Sequence, residues 1–325
     1  MRRLTHVRLP NPETNDEGNL WWILVDEKDI VQLVKPMENG FVIDGENWGG
    51  DWLSPMGMDL QINGGLGLSF SDLTFKDLPK LLDLLDRLWI DGVEGICPTF
   101  ISCSVSSLRL GLQVLCEARI KHKSNRCELL GAHLEGPFLS KSKNGAHRLE
   151  YLCPPTLTAL QERIQGVENE IAIVTLAPEL SGSFDVIKRL KSLGIVVSLG
   201  HSAADEITCQ SAFKNGISML THAFNAMPGL KHRSPGPVGE ALKNSAIAIG
   251  LIADGVHVHP DIAVLLQRLA SRKLVLVSDA ISPYGLPDGI YTWDKRSIFS
   301  KNGSCRISDG TLAGSTVPLL QACKK

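Results

Sequence analysis

The chain has eight cysteines but no Cys-x-x-Cys pair, which removes the spacing that zinc ribbons and thiol-disulfide motifs use. Cys97, Cys103, Cys116, Cys127, Cys153, Cys209, Cys305 and Cys323 are scattered, most of them inside apolar segments, and read as small core hydrophobes in a reducing compartment. Neither sign of charge dominates: 33 Lys and Arg stand against 35 Asp and Glu, a formal net charge of -2. That balance gives no electrostatic reason to expect nucleic acid or an acidic membrane as partner. The one basic cluster, Arg119, Lys121, His122, Lys123 and Arg126, falls where a helix should end and reads as a solvated terminus. No apolar run approaches membrane-spanning length, and Met1 to Gly18 carries Pro, Asn, Glu and Asp where a signal peptide needs an apolar stretch. A soluble cytoplasmic protein is expected. Internal repeats and low-complexity tracts are also absent.

What is present is a long chain, 325 residues with 43% hydrophobic content, enough for one α/β domain of barrel size and a small appended unit. Residues 1–53 carry short candidate strands, Leu20 to Val25, Ile30 to Val34 and Phe41 to Ile43, parted by Asp, Glu, Asn and Gly. From Ser54 onward, apolar runs alternate with stretches of helical period, the signature of βαβ units and a parallel sheet. Eight strands are predicted: Met58 to Ile62, Gly92 to Thr99, Leu129 to Leu134, Ile171 to Leu176, Ile195 to Leu199, Ile217 to Leu220, Ile247 to Ala253 and Leu274 to Val277. Helical periodicity marks Asp77 to Trp89, with Leu78, Leu81, Leu82, Leu85 and Leu88 on one face, then Ser106 to Arg119, Phe184 to Leu193 and Asp261 to Ser271.

Eight such strands point to a (β/α)8 TIM-type barrel over residues 54–325, with a small β-sandwich-like domain from residues 1–53. The competing open sheet would need a Gly-x-Gly-x-x-Gly turn after its first strand, and Asn63-Gly64-Gly65-Leu66-Gly67 lacks that spacing. Asp288 to Gly310 alternates like a hairpin around Asn302-Gly303, ahead of a last helix expected near Ser315.

In a barrel the chemistry gathers at the C-terminal ends of the strands. There this sequence puts Gln61 and Asn63, Glu135, His201, His222, Asp254 with His257, and Asp279. Glu135 ends the run through Leu134 and is followed by Gly-Pro, which cannot continue a strand; a buried carboxylate there needs a cation, a proton or several donors. Glu135, His201 and His222 suit one divalent metal, two neutral ligands and one anion, able to acidify water toward a pKa of roughly 7. Asp279 can act as general base and then acid, and His257 can donate to an oxyanion, which implies metal-assisted amide hydrolysis. Other readings stay open: His257 packing against its loop, and Asp279 capping the next turn. His133, two residues before Glu135, shares its strand face and reads as a hydrogen-bonding neighbour of the ligand.

A series of motifs then carries a resemblance: Met58-Asp59-Leu60-Gln61-Ile62-Asn63-Gly64-Gly65, His133-Leu134-Glu135-Gly136-Pro137-Phe138, Gly145-Ala146-His147, Gly200-His201-Ser202, Thr221-His222-Ala223-Phe224-Asn225-Ala226-Met227, His232-Arg233, Ala253-Asp254-Gly255-Val256-His257, Ser278-Asp279-Ala280, Gly285-Leu286-Pro287-Asp288-Gly289 and Asp309-Gly310-Thr311-Leu312-Ala313-Gly314-Ser315-Thr316. From about residue 54 to 316 the chain resembles the N-acetylglucosamine-6-phosphate deacetylases of the amidohydrolase superfamily. The resemblance implies metal ligation by Glu135, His201 and His222, and Asp279 as proton acceptor and donor. It also implies substrate contacts at Ala146, His147, Asn225, Ala226, Arg233, Asp254, His257, Leu312, Ala313 and Gly314. The arginine matching Arg233 reaches the sugar phosphate from a neighbouring subunit in the family, so a homodimer acting on a small amino-sugar phosphate is implied.

Two departures follow. Many amidohydrolases carry His-x-His after the first strand, whereas Gln61 and Asn63 are amides that bind divalent cations poorly, so one metal is expected: zinc first, with iron, cobalt or manganese also suited. Family members normally continue into strands that complete the small β unit; this chain ends at Lys325, so the sandwich is expected to be partial, with exposed edges. The alternatives are a hydrolase for another N-acyl amino sugar or cyclic amide, and a truncated, catalytically silent barrel.

Overall fold

The structure, a computed structural model, describes residues 1–10, 19–27, 30–38 and 43–322. It divides into two compact units, Met1–Met56 and Gly57–Lys325. In the first, β1 (Arg2–Val7), β2 (Trp21–Val25), β3 (Val31–Pro36) and β4 (Glu46–Asn47) form one sheet in the order β3-β2-β1-β4. Ile23 and Val25 by alternation, and Leu4 and Val7 across a register shift in β1, form one buried cluster with Leu9, Trp48 and Leu53 packed on it. Edge strand β3 is exposed at all six residues. The strand expected at Phe41 to Ile43 lies mostly outside the described residues.

The second unit is a nearly closed barrel. Its eight parallel strands are β5 (Gly57–Ile62), β8 (Val93–Ile101), β10 (Ala132–Glu135), β11 (Ile171–Leu176), β12 (Val196–Leu199), β13 (Ile217–Leu220), β14 (Ala248–Ile252) and β15 (Leu274–Val277), hydrogen-bonded in that order. The short strands β6 (Gly64–Gly65) and β7 (Leu68–Ser69) pair with each other, and β9 (Glu128–Leu129) pairs with β8. First and last strands meet just past their ends, where Asp279 N donates to Gln61 O at 2.9 Å and Asn63 N to Ala280 O at 2.7 Å. Helices α1 (Leu78–Ile90), α2 (Val105–Ile120), α3 (Leu157–Ile164), α4 (Ser183–Ser192), α5 (Glu206–Asn215), α6 (Gly236–Lys243) and α7 (Pro260–Ala270) fill the crossovers. Local chemistry starts them: Ser104, Thr156 and Asp205 accept from the backbone N–H groups of Ser107, Ala159 and Thr208. Among the described residues no helix is long and apolar enough to cross a membrane.

The structure moves several expected boundaries. The strand predicted over Leu129 to Leu134 is two pieces, β9 and β10, because Gly131 takes φ +124°, a left-handed value that breaks the ladder. On α1 the buried stripe is Leu81, Leu84, Leu85 and Leu88, while Leu78 and Leu82 are only partly covered. The predicted hairpin is a four-stranded antiparallel meander, β16 (Gly289–Trp293), β17 (Arg296–Lys301), β18 (Ser304–Ile307) and β19 (Leu312–Ser315), with the expected turn at Asn302-Gly303. Ser315 therefore ends a strand, and its Oγ accepts from Val317 N at 2.9 Å; the helix α8 (Leu319–Ala322) starts only after Pro318.

One side chain closes a helix end from another element. Lys273 Nζ donates to the carbonyls of Ala241, Leu242 and Asn244 at 2.7, 3.0 and 2.8 Å, using all three of its hydrogens on the C-terminus of α6. Lys273→Met keeps the stem and removes those donors, and is expected to cost about 1–2 kcal/mol. Calorimetry should record a fall of roughly 4 °C in Tm; an unchanged Tm would show that water caps this helix equally well.

Candidate active site

The parallel strands deliver polar groups to one mouth by a shared device. His201, His222 and Asp279 each sit two residues beyond their strands β12, β13 and β15, at φ +47°, +27° and +47°. Non-glycine residues seldom adopt this left-handed region, and each costs on the order of 1–3 kcal/mol unless the surroundings impose it. Here it turns the side chains inward over the barrel axis. Glu135 is the last residue of β10 and needs no such turn.

Three atoms converge. Glu135 Oε1 lies 2.9 Å from His222 Nε2 and 3.2 Å from His201 Nε2, and the two nitrogens are 3.1 Å apart. His201 Nδ1 is 2.8 Å from the Lys143 carbonyl, which only accepts, so the ring proton is on Nδ1 and the Nε2 lone pair faces the carboxylate. Lone pairs of oxygen and nitrogen do not sit this close in a buried place without a cation or proton among them. The donor set therefore fits a divalent metal.

His147 completes a second, overlapping group with Glu135 and His201. Its Nε2 is farther out, 3.7 Å from Glu135 Oε2, and its Nδ1 accepts from Ser102 N at 3.2 Å. A neutral ring that accepts at Nδ1 carries its proton on Nε2, so His147 offers the site a hydrogen-bond donor and no lone pair. The group with His222 is the tighter of the two.

The site's charges divide by environment. Burial alone would raise the Glu135 carboxyl, but the imidazoles of His147, His201 and His222 around it hold it well below the usual range. His201 is lowered to about 4 by burial and by neighbouring His147. His222, though burial opposes it, is raised by its bond to Glu135. Asp279 is raised to about 7, first by burial and then by the charge on Glu135. Its Oδ1 accepts from Asn63 Nδ2 at 2.6 Å and Gln61 Nε2 at 3.4 Å, and Gln61 Nε2 also donates to Glu135 Oε1 at 3.0 Å.

A cavity of 320 Å³ opens over these groups. Ala146, His147, Asn225, Ala226, His257, Leu312, Ala313 and Gly314 all line it. Asp254 stands behind His257, accepting from its Nδ1 at 2.7 Å. Arg233, on an exposed turn whose ends, Lys231 and Ser234, bridge, is not brought to this cavity. The structure adds Ile101, Ser142, Lys143, Ile252, Trp293 and Thr311 to the walls. Trp293 comes from the meander, and nothing local in its strand marks it as a wall residue.

Beneath the mouth, Asp59 is fully buried on β5 and accepts from Gln61 N and Ser278 N. Burial outweighs those bonds and raises it from 3.8 to about 6. A carboxyl whose folded pKa is raised favours folding fully below its unfolded pKa and loses that contribution as pH rises through the folded value. The loss amounts to about 3 kcal/mol by pH 7. Asp59→Asn should flatten the urea-denaturation midpoint between pH 4.5 and 7.5 relative to the parent; a parallel pH profile in both proteins would refute the assignment.

No protein-family model matches the chain. It is 33% identical over 303 residues to an N-acetylglucosamine-6-phosphate deacetylase of Vibrio furnissii, covering 93% of this chain and 75% of the relative. An N-acetylgalactosamine-6-phosphate deacetylase of Escherichia coli O157:H7 is 35% identical over 269 residues, 82% of this chain and 69% of the relative. Among solved structures, a variant N-acetyl-D-glucosamine-6-phosphate deacetylase of Mycobacterium smegmatis in complex with N-acetyl-D-glucosamine-6-phosphate superposes with a TM-score of 0.82 at 26% identity, covering 99% of this chain and 82% of the other. Identity at this level across three quarters of the Vibrio enzyme means that the chain belongs to the N-acetylglucosamine-6-phosphate deacetylase family and is a hydrolase.

Proposed function

We propose that the chain hydrolyses the acetamide of N-acetyl-D-glucosamine 6-phosphate, giving D-glucosamine 6-phosphate and acetate. The observation that carries this reading is the convergence of Glu135 Oε1, His201 Nε2 and His222 Nε2 beside Asp279, at the floor of a cavity of the size of small-ligand sites. The ligand named for the Mycobacterium smegmatis structure supports the same substrate. One divalent cation, zinc in this proposal, with iron, cobalt or manganese also suited to the donors, would be held by Glu135, His201 and His222. When bound there it supplies Lewis acidity, lowering the pKa of water and polarising the amide carbonyl.

The protein's own groups do the rest. Asn63 and Gln61 tie Asp279 Oδ1, which leaves Oδ2 to take the proton of the attacking water. With its pKa raised to about 7, Asp279 holds that proton near neutrality and returns it to the amine nitrogen as the C–N bond breaks. An oxyanion donor is needed opposite. The sequence reading gave that role to His257; the proton on His147 Nε2, fixed by Ser102, makes His147 the better donor. His257, braced by the Asp254 carboxylate, is proposed to bind substrate together with Asn225, Ala226 and the Leu312 to Gly314 segment.

Arg233 is proposed to bind the sugar phosphate across a homodimer. Its absence from its own chain's cavity supports this, as does a 340 Å³ groove near that turn whose walls include Leu230, Ile262, Leu265 and Leu269, all substantially exposed.

Acetate release from N-acetyl-D-glucosamine 6-phosphate, its galacto epimer and unphosphorylated N-acetylglucosamine, with zinc-loaded protein, tests the proposal. Asp279→Asn should lower kcat about 10³-fold with zinc content unchanged, whereas Glu135→Gln should lose the zinc while staying folded. The galacto epimer reacting faster would move the chain toward the specificity named for the Escherichia coli relative. Indifference to the phosphate would favour a broader N-acyl hydrolase, and no acetate from any substrate would refute the reading.

A further inference from the structure

Directly below the three converging atoms runs a chain of hydrogen bonds wholly inside the barrel. His133 Nδ1 lies 2.9 Å from Leu60 O, His133 Nε2 lies 2.7 Å from Thr175 Oγ1, Thr175 Oγ1 lies 2.7 Å from Thr221 Oγ1, and Thr221 Oγ1 lies 2.5 Å from Ser198 Oγ. All four side chains have zero exposure. Their proton order follows from the ends. Leu60 O only accepts, so His133 Nδ1 donates to it, and the neutral ring accepts at Nε2. Thr175 must then donate to His133, Thr221 to Thr175, and Ser198 to Thr221. Run the other way, the chain would leave the Ser198 hydroxyl proton without an acceptor in the chain, a cost of about 1–3 kcal/mol in a buried place.

The placement of its members is what gives this chain a meaning. Each strand that leads to one of the converging atoms also leads to one member: His133 on β10 two residues before Glu135, Ser198 on β12 three before His201, and Thr221 just past the end of β13 and next to His222. Thr175, on β11, is the hub. In strand register it stands opposite Glu135 on one side and Ser198 on the other. Its hydroxyl reaches past β12 to Thr221 because position 200 carries no side chain: a Cβ there would come within 2.7 Å of Thr175 Cγ2 and 2.8 Å of Thr221 Cβ.

We propose that Thr175 is a positioning residue for metal binding, tying β10, β12 and β13 through His133, Ser198 and Thr221 so that Glu135, His201 and His222 keep the spacing a cation needs. Polar groups behind metal ligands are worth about 10–100-fold in affinity where they orient those ligands. The inference rests on Glu135, His201 and His222 being the metal ligands.

Zinc affinity of the full chain, measured by competition with a chromophoric chelator, tests it, alongside the Tm of zinc-free protein and the 15N shifts of His133. Thr175→Val, nearly isosteric, should weaken zinc binding about 10–100-fold and shift the 15N resonance of His133 Nε2 as that atom loses its hydrogen-bond donor; Thr175→Ser, which keeps the hydroxyl, should restore both. Ser198→Ala, which removes only the last donor, is the milder variant should the valine fail to fold, and should shift affinity in the same direction. Zinc affinity equal to the parent's in Thr175→Val or Ser198→Ala would overturn the proposal, and so would a weakened affinity that Thr175→Ser does not restore. A parent chain that binds no zinc would instead overturn the ligand assignment beneath it.

Discussion

A carboxylate oxygen and two imidazole nitrogens, all within 3.2 Å and all buried, with the His201 lone pair turned to the carboxylate, form an arrangement that cannot stand without a cation or a proton among them. The rest of the site is organised around that constraint. His201 can present its Nε2 lone pair only because the Lys143 carbonyl holds its other proton. The carboxylate of Glu135 stays ionised against burial only because imidazoles surround it. Its negative charge in turn helps raise Asp279, so two carboxyl groups in one cavity end with opposite dispositions: one to hold charge, the other to carry a proton.

A barrel suits this requirement because its strands bring residues remote in sequence to one axis while the sheet fixes their spacing. The constraint is met by distortion at the rim and order beneath it. At the rim, three of the four central residues leave their strands through left-handed backbone, a strain that the flanking ladder can bear. Below the rim, hydroxyl, imidazole and carboxyl groups share the interior with an apolar layer of Cys97, Ile173 and Met219, which lie two residues before Thr99, Thr175 and Thr221 respectively. Thr99 takes part as well, accepting from Ile62 N and donating to Cys97 O. These polar groups are tolerable because each finds a partner, and a satisfied network holds its strands in one register more strictly than apolar packing does.

The eight strands and most helices were legible because parallel strands buried on both faces read as apolar runs, and amphipathic helices keep their period. The polar strand ends were legible too, since Glu135, His201, His222 and Asp279 each interrupt or follow such a run. What the residues did not reveal depends on geometry at long range. Thr175, Ser198 and Thr221 look like ordinary β-formers inside or beside apolar runs, and only the fold shows their hydroxyls meeting. Gly131 breaks a strand that hydropathy alone makes continuous. Trp293 reaches the cavity from a meander outside the eight-strand pattern, and Arg233 was drawn toward the site by family resemblance while its own chain leaves it outside.

The two amides at the end of β5 bear on how many cations this mouth can take. Asn63 Nδ2 faces Asp279 Oδ1, and Gln61 Nε2 faces Glu135 Oε1; because carboxylates accept, both amides must turn their N–H groups toward the reacting centre. Their oxygens point elsewhere and find no partner among the described residues. A second cation near Asp279 would therefore meet N–H hydrogens where it needs lone pairs. Reversing the amides would leave Oδ1 of Asp279 facing another acceptor, at a cost of the order of a buried unmet hydrogen bond for each. The same hydrogens hold Oδ1 of Asp279 and leave Oδ2 clear of them, so in the proposed mechanism a single cation and a well-placed proton carrier both trace to Gln61 and Asn63.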